Sequence, residues 1–219
     1  MAKDVRSIID KLKTMHGEPR CELNFTDPLE LVVATVLSAQ CTDERVNRVT
    51  ETLFKKYRNI YDYIDVINEE LENDIRSTGF YKNKAKAIKN ITEEIRDRFH
   101  GEVPRDIDTF ATVKGIGRKS ANLIVGLAFD KPAVIVDTHA IRLSNRIGFS
   151  DRKDTDKIEQ DIKKVVPEDM WTTFSLLITL HGRYLCKARK PECERCLLQD
   201  DCDLFGQANS NNQSPIYKQ

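Results

Sequence analysis

The chain has 219 residues, with 35 lysines and arginines against 35 aspartates and glutamates, so its formal net charge is +0. That length holds one large domain or two small ones with a real core, and 40% apolar with 32% charged residues excludes a disordered or fibrous chain. The longest charge-free apolar stretches, Leu31 to Thr42 and Met170 to Gly182, fall short of the ~18–20 residues that a membrane span needs. The first six residues carry no apolar signal core, so a cytoplasmic protein is expected, and its six cysteines point to free thiols or a metal site rather than a disulfide framework.

Taken in chain order, the apolar spacing is that of helices. Val5, Ile8, Ile9, Leu12 and Met15 share one face of a first helix. Asp27-Pro28-Leu29-Glu30 is a helix start, with Asp27 as cap, Pro28 at the first helical position and Glu30 completing a capping-box-like pair. Leu29 to Leu37 is apolar nearly all round, which predicts a buried helix. Val46, Val49, Leu53, Phe54 and Tyr57 predict another, and Ile88, Ile91, Ile95 and Phe99 a long one stopped by Gly101 and Pro104. Ala133 to Val136 is the one strand candidate. It is short and has no neighbour to pair with, so it reads as a buried connector. Ile158, Ile162 and Val165 predict a helix started by Thr155 and stopped before Pro167. Residues 207–219 are polar and low in complexity and are expected to be disordered. The fold class is all-α.

Balanced totals hide segregated signs. Asp62 to Asp74 holds six acidic residues and no basic one, while Arg76 to Lys89 holds five basic residues and no acidic one. Lys114, Arg118 and Lys119 form a second acid-free basic segment, and Arg183, Lys187, Arg189 and Lys190 a third. Any one run reads as a solvated helix face; three beside glycine-rich or cysteine-rich features allow a basic binding face.

Phe110 to Ile124 reads as helix, tight hairpin, helix. Gly115 and Gly117 permit turns and close approach, Ile116 pins the hairpin to the core, and Ala121 lets the second helix pack closely. Exposed N–H groups at that helix start suit a phosphate, so such a hairpin holds a DNA backbone without reading its sequence. Lys119 sits in the first turn after the hairpin, where the helix end and the neighbouring Arg118 and Lys114 disfavour an ammonium. It therefore reads equally as a phosphate contact or as a nucleophilic amine able to form a Schiff base. Asp137, directly after the apolar run, reads as a helix cap, a rigid catalytic carboxylate, or both. His139 reads as a hydrogen-bonding core histidine.

Cys186, Cys193, Cys196 and Cys202 stand in a C-x6-C-x2-C-x5-C array. Four thiols within 17 residues demand a partner. Zinc sites favour two tight pairs, and here only Cys193 and Cys196 are paired so tightly; the uneven spacing suits an iron–sulfur cubane somewhat better. Cys21 and Cys41 are left over.

Leu37-Ser38-Ala39-Gln40-Cys41-Thr42-Asp43, Gly79-Phe80-Tyr81-Lys82-Asn83-Lys84-Ala85, Gly115-Ile116-Gly117-Arg118-Lys119, Val136-Asp137-Thr138-His139 and His181-Gly182-Arg183-Tyr184 precede the four cysteines in order. Together they closely resemble the endonuclease III family of DNA glycosylases, over about residues 23–204. The resemblance implies two all-α domains: a six-helix barrel at about 21–131, and a discontinuous cluster domain of 1–20 plus 132–206. It implies that the four cysteines hold a 4Fe–4S cluster, that Lys119 is the Schiff-base lysine and that Asp137 is the catalytic aspartate. Gln40 would fill the gap left by an extruded base and Phe80 would be an apolar wedge opposite, while Gly115, Gly117, Arg118, Lys187, Arg189 and Lys190 would meet DNA. The implied activity is removal of oxidised pyrimidines from double-stranded DNA and cutting 3′ to abasic sites, by a monomer. A mismatch glycosylase of the same fold is the alternative within the class. A non-enzymatic hairpin DNA-binding protein and a zinc-stapled structural protein are alternatives outside it. Lys114 where the family has proline, Cys41 where a small residue is usual, and Phe80 where an aliphatic residue is usual all fall in DNA-facing segments.

Overall fold

The computed structural model describes residues 3–210, and the regular structure among the described residues is helical throughout. They divide into two compact units, one formed by Cys21–Lys131 and the other by the described residues of 1–20 and 132–219.

Helix α1 (Val5–His16) opens the discontinuous unit. Asp4 caps it by accepting from the Ser7 N–H, and Val5, Ile8, Ile9 and Leu12 are its buried face. The continuous unit starts with α2 (Pro28–Ser38). Asp27 accepts from the Glu30 N–H with Pro28 behind it, as the sequence predicts. The reciprocal half of the box is different: the Glu30 carboxylate accepts from the Thr26 N–H at 2.6 Å and the Thr26 hydroxyl at 2.9 Å, one residue before the cap. Leu31, Val32, Val33, Ala34 and Leu37 are all at most 1% exposed, so α2 is the buried centre of this unit. Around it lie α3 (Asp43–Lys56), α4 (Ile60–Asp65), α5 (Asn68–Asp74), a 3₁₀ turn (Arg76–Thr78), α6 (Tyr81–Phe99), α7 (Ile107–Phe110) and α8 (Arg118–Ala128). Helices α3, α6 and α8 pack directly on α2. The end of α6 is a left-handed pair, His100 at φ 55° and then Gly101 at φ 84°. The Gly101 N–H reaches back to the Ile95 carbonyl, as at many helix ends.

The discontinuous unit resumes with a buried connector, Ala133 to Val136, in extended chain with no strand partner among the described residues. Side chains of the later helix α11 (Trp171–Tyr184) take up part of its backbone bonding: the Ala133 N–H donates to Thr172 Oγ1 at 3.1 Å and the Ile135 N–H to Ser175 Oγ at 3.0 Å. That solves, without a sheet, the problem of burying polar backbone. Helices α9 (Thr138–Ile147), α10 (Thr155–Val165), α11 (Trp171–Tyr184) and α12 (Asp203–Ser210) follow. Two sequence expectations for α10 are corrected. Its cap is Asp154, which accepts from the Lys157 N–H, so Thr155 is already helical. Val165 is 48% exposed, and Val166 is buried instead because the chain turns extended there and swings that side chain inward. Close packing of α9 against α11 depends on Gly182: a Cβ there would come within 2.7 Å of the His139 Cβ. Residues 207–210, expected in a disordered tail, continue α12, whose first turn is favoured by Asp203 at its positive end. The rest of that expected tail, 211–219, lies outside the described residues. Among the described residues no helix is long and apolar enough to cross a membrane.

Candidate nucleic-acid interface and cluster site

The hairpin is built from the end of α6 upward. Arg98 donates to the Thr112 carbonyl and hydroxyl, and Glu94 pairs with Arg98 at 2.9 Å and accepts from the Lys114 N–H at 3.2 Å. Proline at 114 has no N–H to give, so lysine here adds an anchor to the turn. Val113 and Ile116 are buried beneath it. Gly115 stands at φ +100°, and a Cβ there would press on Ile91 Cγ1 at 3.3 Å, so both conformation and space call for glycine. Gly117 is a different case. Its φ is −83° and a Cβ would meet nothing within 4 Å, so glycine there leaves open space and does not relieve strain. It caps α8 without a side chain, and Lys119 is exposed in the helix's first turn. Arg118 pairs with Asp108 on α7.

A groove of ≈ 390 Å³ in the same unit is lined by Gln40, Phe80, Lys84, Gly115 and Ser120 among others. The structure thus brings together three residues that the sequence offers separately. Gln40 (φ 52°) and Phe80 (φ 48°) are both in the left-handed region, which costs a non-glycine residue of order 1–3 kcal/mol. Phe80 is 63% exposed, an apolar ring held in solvent.

The basic run Arg76 to Lys89 does not survive as a continuous face. Lys84 is buried and Lys89 spends its ammonium on the Ile64 and Val66 carbonyls, while Arg76 lies over the Tyr81 ring, 5.4 Å from its centroid. The sequence offers Lys84 and Asp43 only as members of longer segments, with no role of their own. Asp43, at the start of α3, has a carboxyl pushed up by burial and held back by the charge of Lys119, so the lysine's field reaches it.

In the discontinuous unit Asp137 caps α9. One carboxylate oxygen accepts from the Ala140 N–H at 2.7 Å and the other from the Thr179 hydroxyl at 3.1 Å. Both oxygens are therefore fixed, which agrees with the cap reading and leaves a rigid, half-buried acid. His139 Nδ1 accepts from Arg142 Nη2 at 3.2 Å and packs on Gly182, a supporting role.

All four cysteines Cys186, Cys193, Cys196 and Cys202 line one cavity with Leu198 and His181. Their surroundings fit an iron–sulfur cluster. Burial and then the neighbouring sulfurs push the Cys193, Cys196 and Cys202 thiols up, Cys196 to about 11. Four thiolates so placed need a positive partner of some size. Donors already face the sulfurs: Arg146 Nη1 at 3.3 Å from Cys186 Sγ and the Leu198 N–H at 3.4 Å from Cys196 Sγ. Two arginines that sequence reasoning passes over shape the loop. Arg142 donates to the Gly182 and Cys186 carbonyls, and Arg146 to those of Lys187 and Ala188. Their i, i+4 spacing on α9 is the only signal that could have marked them. His181 bridges His16 Nε2 at 2.9 Å and Cys196 Sγ at 3.5 Å. Lys187, Arg189 and Lys190 are exposed on the loop between the first two cysteines, with Lys187 paired to Glu192 at 2.8 Å.

Residues 33–168 match the family model of the HhH-GPD superfamily base excision DNA repair proteins, and residues 186–202 that of the iron–sulfur binding domain of endonuclease III. The chain is therefore a helix-hairpin-helix base excision repair protein of that superfamily with a 4Fe–4S site at its C-terminal end. It is 45% identical over 201 residues to endonuclease III of Bacillus subtilis, covering 91% of this chain and 92% of that one. To endonuclease III of Escherichia coli K12 it is 36% identical, covering 90% and 93%. On these grounds the chain belongs to the endonuclease III family. A solved structure described as a trapped endonuclease III–DNA covalent intermediate superposes with a TM-score of 0.86 at 43% identity, covering 94% of this chain and 97% of that one. A thermostable thymine-DNA glycosylase superposes at 0.84 with 22% identity, a likeness of fold alone.

Proposed function

We propose that the chain is a bifunctional DNA glycosylase and abasic-site lyase that removes oxidised pyrimidines from duplex DNA, acting as a monomer in the cytoplasm. The observation that carries the lyase half is Lys119, an exposed amine in the first turn of the helix that follows the Gly115–Gly117 hairpin. The 43% identical relative captured as a covalent intermediate with DNA supports the same reading.

A base inside a duplex is out of reach, so the nucleotide is turned out and the gap filled. Gln40 supplies a polar plug and Phe80 an apolar wedge. Gly115, Gly117 and Arg118 meet the backbone at the start of α8, where N–H groups lack helical partners. The Lys119 amine attacks C1′ of the sugar and the bond to the damaged base breaks, the base leaving with a proton; the C1′–O4′ bond then opens as a proton passes from the lysine nitrogen to O4′, and an imine joins sugar to lysine. Loss of a C2′ proton then expels the 3′ phosphate and cuts the strand. Asp137 stabilises positive charge on the sugar and moves protons. The cluster, bound by Cys186, Cys193, Cys196 and Cys202, supplies a scaffold that closes the loop carrying Lys187, Arg189 and Lys190. The test is incubation with duplex DNA containing an oxidised pyrimidine. Strand cleavage and a borohydride-trapped adduct are expected; an intact abasic strand would instead mark a glycosylase without lyase chemistry.

Asp137→Asn separates cap from catalyst. Asparagine caps as well as aspartate, so the fold should hold. Single-turnover base release should drop by about 10²–10³-fold, while affinity for DNA stays level or rises with the loss of a negative charge. An unchanged rate would leave Asp137 as a cap only.

Replacing Lys187, Arg189 and Lys190 together by alanine should flatten the plot of log affinity against log salt. Each phosphate contact contributes about 0.9, and the Glu192 partner of Lys187 reduces its share, so a change of roughly 2 is expected. Damaged and undamaged duplex should lose affinity alike. A titration over a salt series with an unaltered slope would reduce the loop to a tether for the cysteines.

A further inference from the structure

Lys84 is a lysine only 5% exposed, and its ammonium makes two hydrogen bonds of 2.8 Å, to the Leu37 carbonyl and to the Thr78 carbonyl. These two acceptors are far apart in sequence but alike in position. Leu37 lies in the last turn of α2 and Thr78 ends the 3₁₀ turn, so both are carbonyls that a helix end leaves without a partner. A cation there also meets the negative ends of two helical segments. Three residues after Leu37 the chain reaches Gln40, and two after Thr78 it reaches Phe80. Both of those residues are left-handed, and with Lys84 they line one groove. The Lys84 N–H also bonds to the Phe80 carbonyl at 3.1 Å. Burying a lysine is costly, and burial does pull its basicity down. An alkyl side chain of the same length would fill the space without that cost, so the charge needs a reason beyond packing.

Resting on the glycosylase reading above, we propose that Lys84 is a positioning residue that ties the Gln40 and Phe80 loops into one rigid unit, so that plug and wedge enter the duplex together. A bridge between the two carbonyls fixes the spacing of the loop tips before DNA arrives, and holds each tip in a backbone state it would otherwise leave.

The test compares borohydride trapping on a preformed abasic site in duplex and in single-stranded DNA, since a single strand needs no gap filled. Lys84→Met should slow trapping on duplex by about 10²-fold, the cost of a small misplacement, and leave the single-strand rate within about twofold. An equal fall on both substrates, or no change on either, would overturn the proposal. Failure of the wild type to trap either substrate would instead overturn the lyase reading. A second measurement covers the case in which Lys84→Met does not fold. Gln40 and Phe80 are exposed, so Gln40→Ala, Phe80→Ala and the double variant should fold. If the loops act as one, the double variant should be no slower on duplex than the worse single one; losses that multiply would show independent loops and overturn the proposal.

Discussion

Lys119→Gln should bind abasic duplex DNA with nearly wild-type affinity and yet neither cut the strand nor be trapped by borohydride. The fall in strand cleavage is expected to be about 10³-fold or more, the scale on which loss of a covalent nucleophile is felt. Little in the fold opposes the change. Lys119 is exposed at the start of α8, Gly115 and Ile116 hold the hairpin without it, and Glu94 anchors the turn through the Lys114 N–H. Glutamine keeps the length and polarity and removes the amine. Gel-shift affinity and single-turnover cleavage on the same duplex measure the two halves of the expectation. Retained trapping would make another lysine the nucleophile, with Lys114 the first to examine.

Cys196→Ser should give colourless, poorly soluble protein. The reason lies in how little core this segment has. Between Leu185 and Leu198 the apolar residues besides the cysteines are Leu185, Ala188, Pro191, Leu197 and Leu198, of which Ala188 is exposed and Leu197 is 47% exposed. What else holds the loop runs through the cysteines or close to them: Arg146 to Cys186, the Leu197 N–H to Met15 Sδ at 3.3 Å, and Lys11 to Asp201 at 2.7 Å. Metal binding is thus a large share of the local folding energy. If about 4 kcal/mol is lost, the thermal midpoint should drop by roughly 10 °C. The unit formed by Cys21–Lys131 has its own buried core, so helical signal should persist after the loop is lost. Absorbance, solubility and thermal unfolding of the serine variant check this; a soluble variant with a wild-type midpoint would show that the array is not a staple.

Where a single helix face sets the outcome, the sequence carries it. The α1 face, the Asp27–Pro28 start and the buried α2 all follow from spacing and caps, and the Ala133 to Val136 connector follows from having no partner to pair with. The hairpin is equally plain, because Gly115 needs its positive φ and Val113 and Ile116 need a core. What the sequence hides is anything that depends on where a long polar side chain ends. Lys84 and Lys89 look like two more members of a basic run, yet both reach carbonyls inside the protein. Arg142 and Arg146 look like solvated helix charges, yet they shape the loop between Cys186 and Cys193. Glu30 serves Thr26 and not Asp27, a difference of one residue that no pattern encodes. In each case the choice lies between water and a distant backbone group, and only the assembled fold supplies the second.

Mass mapping of the trapped adduct tests most directly whether one amine, that of Lys119, forms the bond to DNA. Wild-type protein is trapped on abasic duplex with borohydride, digested with protease and nuclease, and the modified peptide is sequenced by tandem mass spectrometry. The sugar remnant should sit on Lys119. A remnant on Lys114, on Lys84 or on any other lysine would contradict the account.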